Sequence, residues 1–152
     1  MILDSQPERD YDDITNLLAT SLDVPIAIVN LLDDRRDWFK SCVGLTQSES
    51  STTTSFCEAF FNSSQDVIVV EDTTLDLRLA SHPLVVGEPF IRFYAAARLE
   101  VNGTTLGTLC AYDLKPRQIS TGQVAQLQSL ATAVVDLFNK RSARSDADKR
   151  AP

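Results

Sequence analysis

The stretch FIRFYAAARLEVNGTTLGTLCAYD, Phe90 to Asp113, constrains the fold more than any other part of the chain. Two alternating runs flank Asn102-Gly103, and both of these residues tolerate the positive φ that a two-residue hairpin turn requires. With that turn, Val101 lies opposite Thr104, Leu99 opposite Leu106, Ala97 opposite Thr108 and Ala95 opposite Cys110. One face then carries Ile91, Phe93, Ala95, Ala97, Leu99 and Val101 with Leu106 and Cys110. The other carries Arg92, Tyr94, Ala96, Arg98 and Glu100 with Leu109 and Ala111. A slip of one residue would exchange the faces, so burial pins the register. The Phe93 face belongs to a core, and the Arg92–Tyr94–Arg98 face borders a polar cavity or its covering loop. Both faces hold enough apolar area to meet a helix, and the pattern leaves open which one does.

The remaining elements fall around this hairpin. Tyr11, Ile14, Leu17, Leu18 and Leu22 recur at helical spacing and predict a first helix over about Glu8 to Leu22. Ile26 to Leu32 is a short β-rich run that reads as a buried strand, DDRR as a turn, and Asp37 to Val43 as the strand that pairs back. Gly44 to Thr53 is a polar loop. Thr54 to Asn62 suits a short capped helix, Val67 to Val70 a third strand, and Glu71 to Pro89 an irregular segment with short helical turns. Ser120 and Gln123 form a capping box that opens a last helix over about Thr121 to Arg141. Its apolar stripe is Val124, Leu127, Leu130, Ala131, Val134, Leu137 and Phe138. Meander-like strands between terminal helices predict an α+β domain with an antiparallel sheet of five or six strands. One domain spans residues 2–141, and residues 142–152, which lack large apolar side chains, read as a disordered basic tail.

Charge narrows the functions. The 152 residues carry a net charge of −7, and the thirteen from Lys140 carry +3, which leaves −10 on the body. An acidic body repels phosphate backbones, so nucleic-acid binding is not expected. No apolar run is long enough to span a bilayer, and the acidic N-terminus is unlike a signal peptide, which places the chain in the cytoplasm without a membrane partner. Cys42, Cys57 and Cys110 are odd in number and widely spaced, so neither a disulfide scaffold nor a metal site is expected.

Several segments, taken in order, are similar to a known family. They are ILDSQPERDYDDIT, DVPIAIVNLLDDRRDWFKSCVGL, SFCEAF, VVEDTTLDLRLASHPLV, GEPFIRFYAAARL and GTLCAYDLKPRQIS. Over residues 2–141 the chain resembles the GAF domains of bacterial signalling proteins. The resemblance implies terminal helices on one face of the sheet and a small-molecule pocket on the other, roofed by the loops and short helices between Gly44 and Pro89. It implies a sensory or regulatory module, non-catalytic, that binds a small molecule or a partner, or a homodimer formed through the terminal helices. The chain ends soon after the last helix, so a separate signalling output protein is the expected partner. Some proteins of this fold reduce free methionine sulfoxide with cysteines, and Cys57 falls at a comparable place, which makes a thiol-based reductase the alternative. The resemblance names no cofactor, and the nearby nucleophilic cysteine of such reductases has no counterpart in LRLASHPLVV.

Six residues are the candidate ligand-binding set: Arg92, Tyr94, Cys57, Asp72, Asp76 and Cys110. Arg92 could grip a carboxylate or phosphate through paired hydrogen bonds. It could equally form an ion pair with Asp72 or Asp76 that ties the loop to the sheet, and buried arginines are normally paired. Asp72, Asp76 and Arg78 could organise their loop by capping and pairing, or form a polar wall. The cysteines lie in apolar surroundings and lack the positive environment that makes a thiolate. His82, next to Pro83, suits a loop-fixing role.

Overall fold

The computed structural model describes residues 2–32, 36–45, 49–51 and 64–150. Helix α1 (Arg9–Leu22) leads into β1 (Ile26–Leu32), β2 (Arg36–Val43) and β3 (Glu49–Ser51). Strand β4 (Val67–Val70) is followed by a 3-10 turn at Thr73–Leu75, the one-turn helix α2 (Pro83–Val86), β5 (Phe93–Val101), β6 (Thr104–Asp113) and helix α3 (Thr121–Arg150). The strands form one antiparallel sheet in the order β3-β2-β1-β6-β5-β4, with the three- and four-residue β3 and β4 at its edges.

The sheet separates two apolar clusters. Ala27, Val29, Leu31, Trp38, Phe93, Ala95, Ala97, Leu99, Leu109 and Ala111 face α1 and α3. Tyr11, Leu18 and Leu22 of α1 and Leu127, Val134 and Phe138 of α3 complete that core. Each fully buried aliphatic side chain contributes about 1.5–3 kcal/mol relative to exposure. On the opposite face Ile26, Ile28, Ile68, Val70, Tyr94, Ala96, Cys110 and Tyr112 pack beneath Leu79, Val85 and Ile91. β1 is buried on both sides, which is why its run is apolar without alternation.

The hairpin turn forms as its residues demand, with φ +53° at Asn102 and +80° at Gly103. The register beyond it differs from the sequence expectation. Glu100 pairs with Thr105 but Leu99 pairs with Gly107, so Leu106 is an extra residue in a β-bulge. From there every pair shifts by one: Ala96 faces Cys110 and Ala97 faces Leu109. Cys110 therefore leaves the Phe93 face, Leu109 and Ala111 join it, and Leu106 is 38% exposed. Ile91, which precedes the strand, packs with Tyr94 rather than Phe93. A bulge is a backbone irregularity, and strict alternation cannot register it.

Two helix expectations also change. Leu17 is largely exposed, and Thr15 occupies the buried stripe with Tyr11, Leu18 and Leu22. Helix α3 runs from Thr121 to Arg150, past the end expected at about Arg141. The reason is local: SARSDADKR contains no Gly or Pro and several good helix formers. The capping box is present, with the Gln123 amide donating to Ser120 Oγ at 3.1 Å and the Ser120 amide donating to Gln123 Oε1 at 2.8 Å. β3 falls inside the stretch expected as a polar loop. The short helix expected over 54–62 lies outside the described residues.

Candidate functional site

The sheet face turned away from the terminal helices carries Tyr94 and Cys110, which the bulge brings onto one face with Tyr112. The Tyr94 and Tyr112 rings meet edge-on at 5.2 Å between centroids and 62° between planes. The Cys110 thiol lies 3.4 Å from Tyr112 Oη and 3.6 Å from the Ile28 carbonyl. With the buried Ala96 these side chains make a floor of two phenols and a thiol.

The segment from Asp72 to Ile91 covers this floor and is tied to it by backbone and short side chains. The buried Thr73 donates its hydroxyl to the Ile91 carbonyl at 2.6 Å, and its amide to the Arg92 carbonyl at 2.9 Å. The Ile91 amide donates to the Leu84 carbonyl at 2.9 Å. Arg92 donates from Nη1 to the carbonyls of Val85 at 2.8 Å and Ile91 at 3.2 Å, and its guanidinium lies 5.9 Å from the Phe90 ring. Arg92 thus ties loop to sheet through the Val85 carbonyl of α2 and the neighbouring Ile91 carbonyl rather than through Asp72 or Asp76.

Those two acids have other partners. Asp72 caps the 3-10 turn, accepting from the Thr74 amide at 3.0 Å and the Thr74 hydroxyl at 2.6 Å. Asp76 accepts from the Arg78 amide at 2.8 Å, Nε at 3.2 Å and Nη2 at 2.9 Å. The Arg78 side chain thereby holds the Asp76 carboxyl below the usual carboxylate range, and Asp76 holds Arg78 above its ordinary value, with a smaller contribution from nearby Tyr94. His82 Nδ1 caps α2 by accepting from the Leu84 amide at 3.0 Å.

A pH test of this loop follows. A carboxylate whose folded pKa is depressed stabilises the fold above its unfolded pKa of about 3.9 and loses that contribution as pH falls through the folded value. Asp76→Asn should therefore lower the urea midpoint at pH 7, by about 1 kcal/mol at most for so accessible a pair. The gap between variant and parent should narrow progressively as pH falls below about 3.9. An equal gap at pH 7 and pH 3 would show that the ionised pair is not what holds the loop.

Cys42 is half-buried on the same side as Phe39, and burial pushes its thiol up, away from thiolate reactivity. Cys57 lies outside the described residues. Among the described residues no three His, Cys, Asp or Glu side chains gather as a metal site. None of their helices is long and apolar enough to cross a membrane. Two clefts open on the helix side. One, of about 410 Å³, is lined by Asp12, Thr15, Lys40 and Ser41, and the other, of about 330 Å³, by Arg98, Gln128 and Thr132.

Sequence reasoning missed Thr73, Tyr112 and Lys40. Thr73 carries no signal beyond a polar run. Tyr112 stood unremarked because the hairpin register was off by one. Lys40 stood unremarked within the strand read over Asp37 to Val43, and its side chain is fully buried.

A family model for the GAF domain matches residues 6–135. A cyclic di-GMP phosphodiesterase of Pseudomonas aeruginosa is 35% identical over 136 residues, covering 88% of this chain. The chain spans only 23% of that relative's length. The GAF domain of an Acinetobacter phosphoenolpyruvate-protein phosphotransferase superposes with a TM-score of 0.69 at 13% identity, covering 90% of this chain and 84% of that one. The free methionine-R-sulfoxide reductase of Neisseria meningitidis, solved with its substrate, gives 0.65 at 16% identity, covering 88% and 78%. At such identities the two superpositions show the fold alone. The antiparallel sheet with its terminal helices on one face, together with a family match over most of the length, establishes that this chain belongs to the GAF domain family.

Proposed function

We propose that this GAF domain is a non-catalytic sensory or regulatory module, bacterial and cytoplasmic, that binds a small molecule on the Tyr94–Cys110 face and passes the result to a signalling output. One observation carries the reading: the two sheet faces are closed in different ways. On the helix side two long helices close over the larger apolar core, with a cleft beside each. The other side is covered by a segment with little regular structure, tied down by hydrogen bonds from Thr73, Ile91 and Arg92 and by the packing of Leu79, Val85 and Ile91. Covers of this kind open at lower cost than packed helices do.

In this reading Tyr94 and Cys110 form the ligand floor. Arg92, Asp72 and Asp76 shape the rim by fixing the cover, and Cys57 joins them from the sequence. The relative's name supports an output in cyclic di-GMP signalling, with this domain regulating the chemistry rather than performing it. A homodimer through α1 and α3 suits such a role, and the output is a separate protein or a further segment.

Native mass spectrometry of freshly purified protein, followed by thermal denaturation with any retained compound, tests the reading. The expected result is a saturable rise in Tm, corresponding to about 2.7 kcal/mol at a hundredfold excess over Kd. Tyr94→Phe should shift the titration without preventing folding. Turnover of free methionine sulfoxide that disappears in Cys57→Ser would replace this reading with the reductase.

A further inference from the structure

Strand β2 carries a second bulge. Asn30 of β1 pairs with Phe39 and Val29 pairs with Ser41, which leaves Lys40 as the extra residue. The bulge sends two successive side chains, Lys40 and Ser41, to the α1 side, while Phe39 and Cys42 on either side pack against the Tyr94 cluster. This short piece of strand therefore touches both layers of the domain at once.

The Lys40 side chain is completely buried, and among the described residues the hydrogen-bond and ion-pair partners of its ammonium belong to the segment that leads into α1. Nζ donates to Ser5 Oγ at 2.7 Å, to the Gln6 carbonyl at 2.6 Å and to Glu8 Oε2 at 2.5 Å, and it lies 5.3 Å from the Tyr11 ring centroid. The same Glu8 oxygen accepts from Arg141 Nη1 at 2.6 Å. Arg141 stands where α3 runs on beyond the core, one turn past Phe138, whose ring meets Tyr11 at 6.0 Å. Beside this chain, Ser41 Oγ donates to Asp12 Oδ1 at 2.5 Å and pairs with Thr15 Oγ1 at 2.8 Å, which locks the bulge onto α1.

We propose that Lys40, Glu8 and Arg141 form a latch between the β2 bulge and the distal part of α3, and that displacement of Phe39 or Cys42 by an event on the Tyr94 face releases it. The regulatory half of this proposal rests on the sensory reading above. The physical basis is the shared carboxylate oxygen. A buried ammonium needs its counter-charge, and Glu8 can satisfy Lys40 and Arg141 together only while β2 and α3 keep their spacing. A shift of the bulge takes Lys40 with it. Glu8 must then follow Lys40, the buried partner, and give up Arg141, the accessible one. Among the described side chains none of α3 beyond Phe138 joins either apolar cluster, so loss of the Glu8–Arg141 pair loosens this part of the helix.

Amide hydrogen exchange on the full chain tests this without a ligand. In Glu8→Gln, amides 137–141 should exchange about tenfold faster, while β6 amides 107–112 stay as in the parent. Arg141→Gln should do the same, and Arg141→Lys, which keeps the charge, should restore slow exchange. Cys42→Ala on the opposite sheet face should accelerate the same α3 amides in the parent but add nothing in the Glu8→Gln background. Unchanged exchange at 137–141 in Glu8→Gln and Arg141→Gln would overturn the latch. A Cys42→Ala effect that is absent, or equal in both backgrounds, would overturn the transmission. A domain that binds no small molecule would fail the sensory reading and could still show this pattern. A saturable ligand shift without the pattern would remove the latch alone.

Discussion

Gly107→Ala is expected to abolish the native sheet. Gly107 lies in β6 opposite Leu31 of β1, at the centre of the six strands. A β-carbon there would stand 1.8 Å from the Asn30 carbonyl oxygen and 3.0 Å from the Leu31 α-carbon. Both are backbone atoms of a strand buried on its two faces, so no side chain can rotate away. The strands would have to part, breaking ladder hydrogen bonds and opening both clusters. Overpacking costs about 1–3 kcal/mol even where side chains can give. Here the cost should exceed that range and consume most of the 5–15 kcal/mol or so typical of a domain. Gly103→Ala is the control. Gly103 also needs its freedom, with φ +80°, but nothing lies within 4 Å of the added carbon. The loss there should be about 1–2 kcal/mol. Circular dichroism and urea titration of the two variants measure the contrast. Equal stability would mean that β1 and β6 are not in this register.

The second large effect separates neighbours in sequence. Phe93→Ala should cost about 3–5 kcal/mol, because Phe93 is fully buried between the sheet and the terminal helices and leaves a cavity that a closely packed core cannot collapse. Tyr94→Phe, one residue on, removes only a hydroxyl from the opposite face and should cost under about 1.5 kcal/mol. Urea unfolding followed by Trp38 fluorescence reads both. Trp38 lies in the Phe93 cluster, so it also reports any loosening of that side. A Phe93→Ala variant as stable as Tyr94→Phe would contradict the assignment of the faces. Ligand titration should rank the pair the other way, with Tyr94 mattering more.

Much of this architecture was legible in the sequence because its signals are local. Asn102-Gly103 specified a turn, Ser120 and Gln123 specified a helix start, and the runs Ile26–Leu32 and Val67–Val70 matched their strands. The errors arose where geometry departs from a strict period. One extra residue at Leu106 moved Cys110 to the other face, and one extra residue at Lys40 turned that lysine inward. Of the proposed site, Tyr94 and Cys110 come together on one face. Asp72, Asp76 and Arg92 instead hold the cover, because their partners are backbone groups and a nearby arginine. Those partners are set by a loop conformation that carries no periodic signal.

The brevity of the two outer strands has a consequence for how copies of this domain can coexist. Among the described residues the outer strands are three and four residues long, and edge strands this short offer a foreign strand little backbone to pair with. Crowded or tethered copies are thus steered away from cross-β stacking, the route by which a concentrated protein would otherwise turn into fibres.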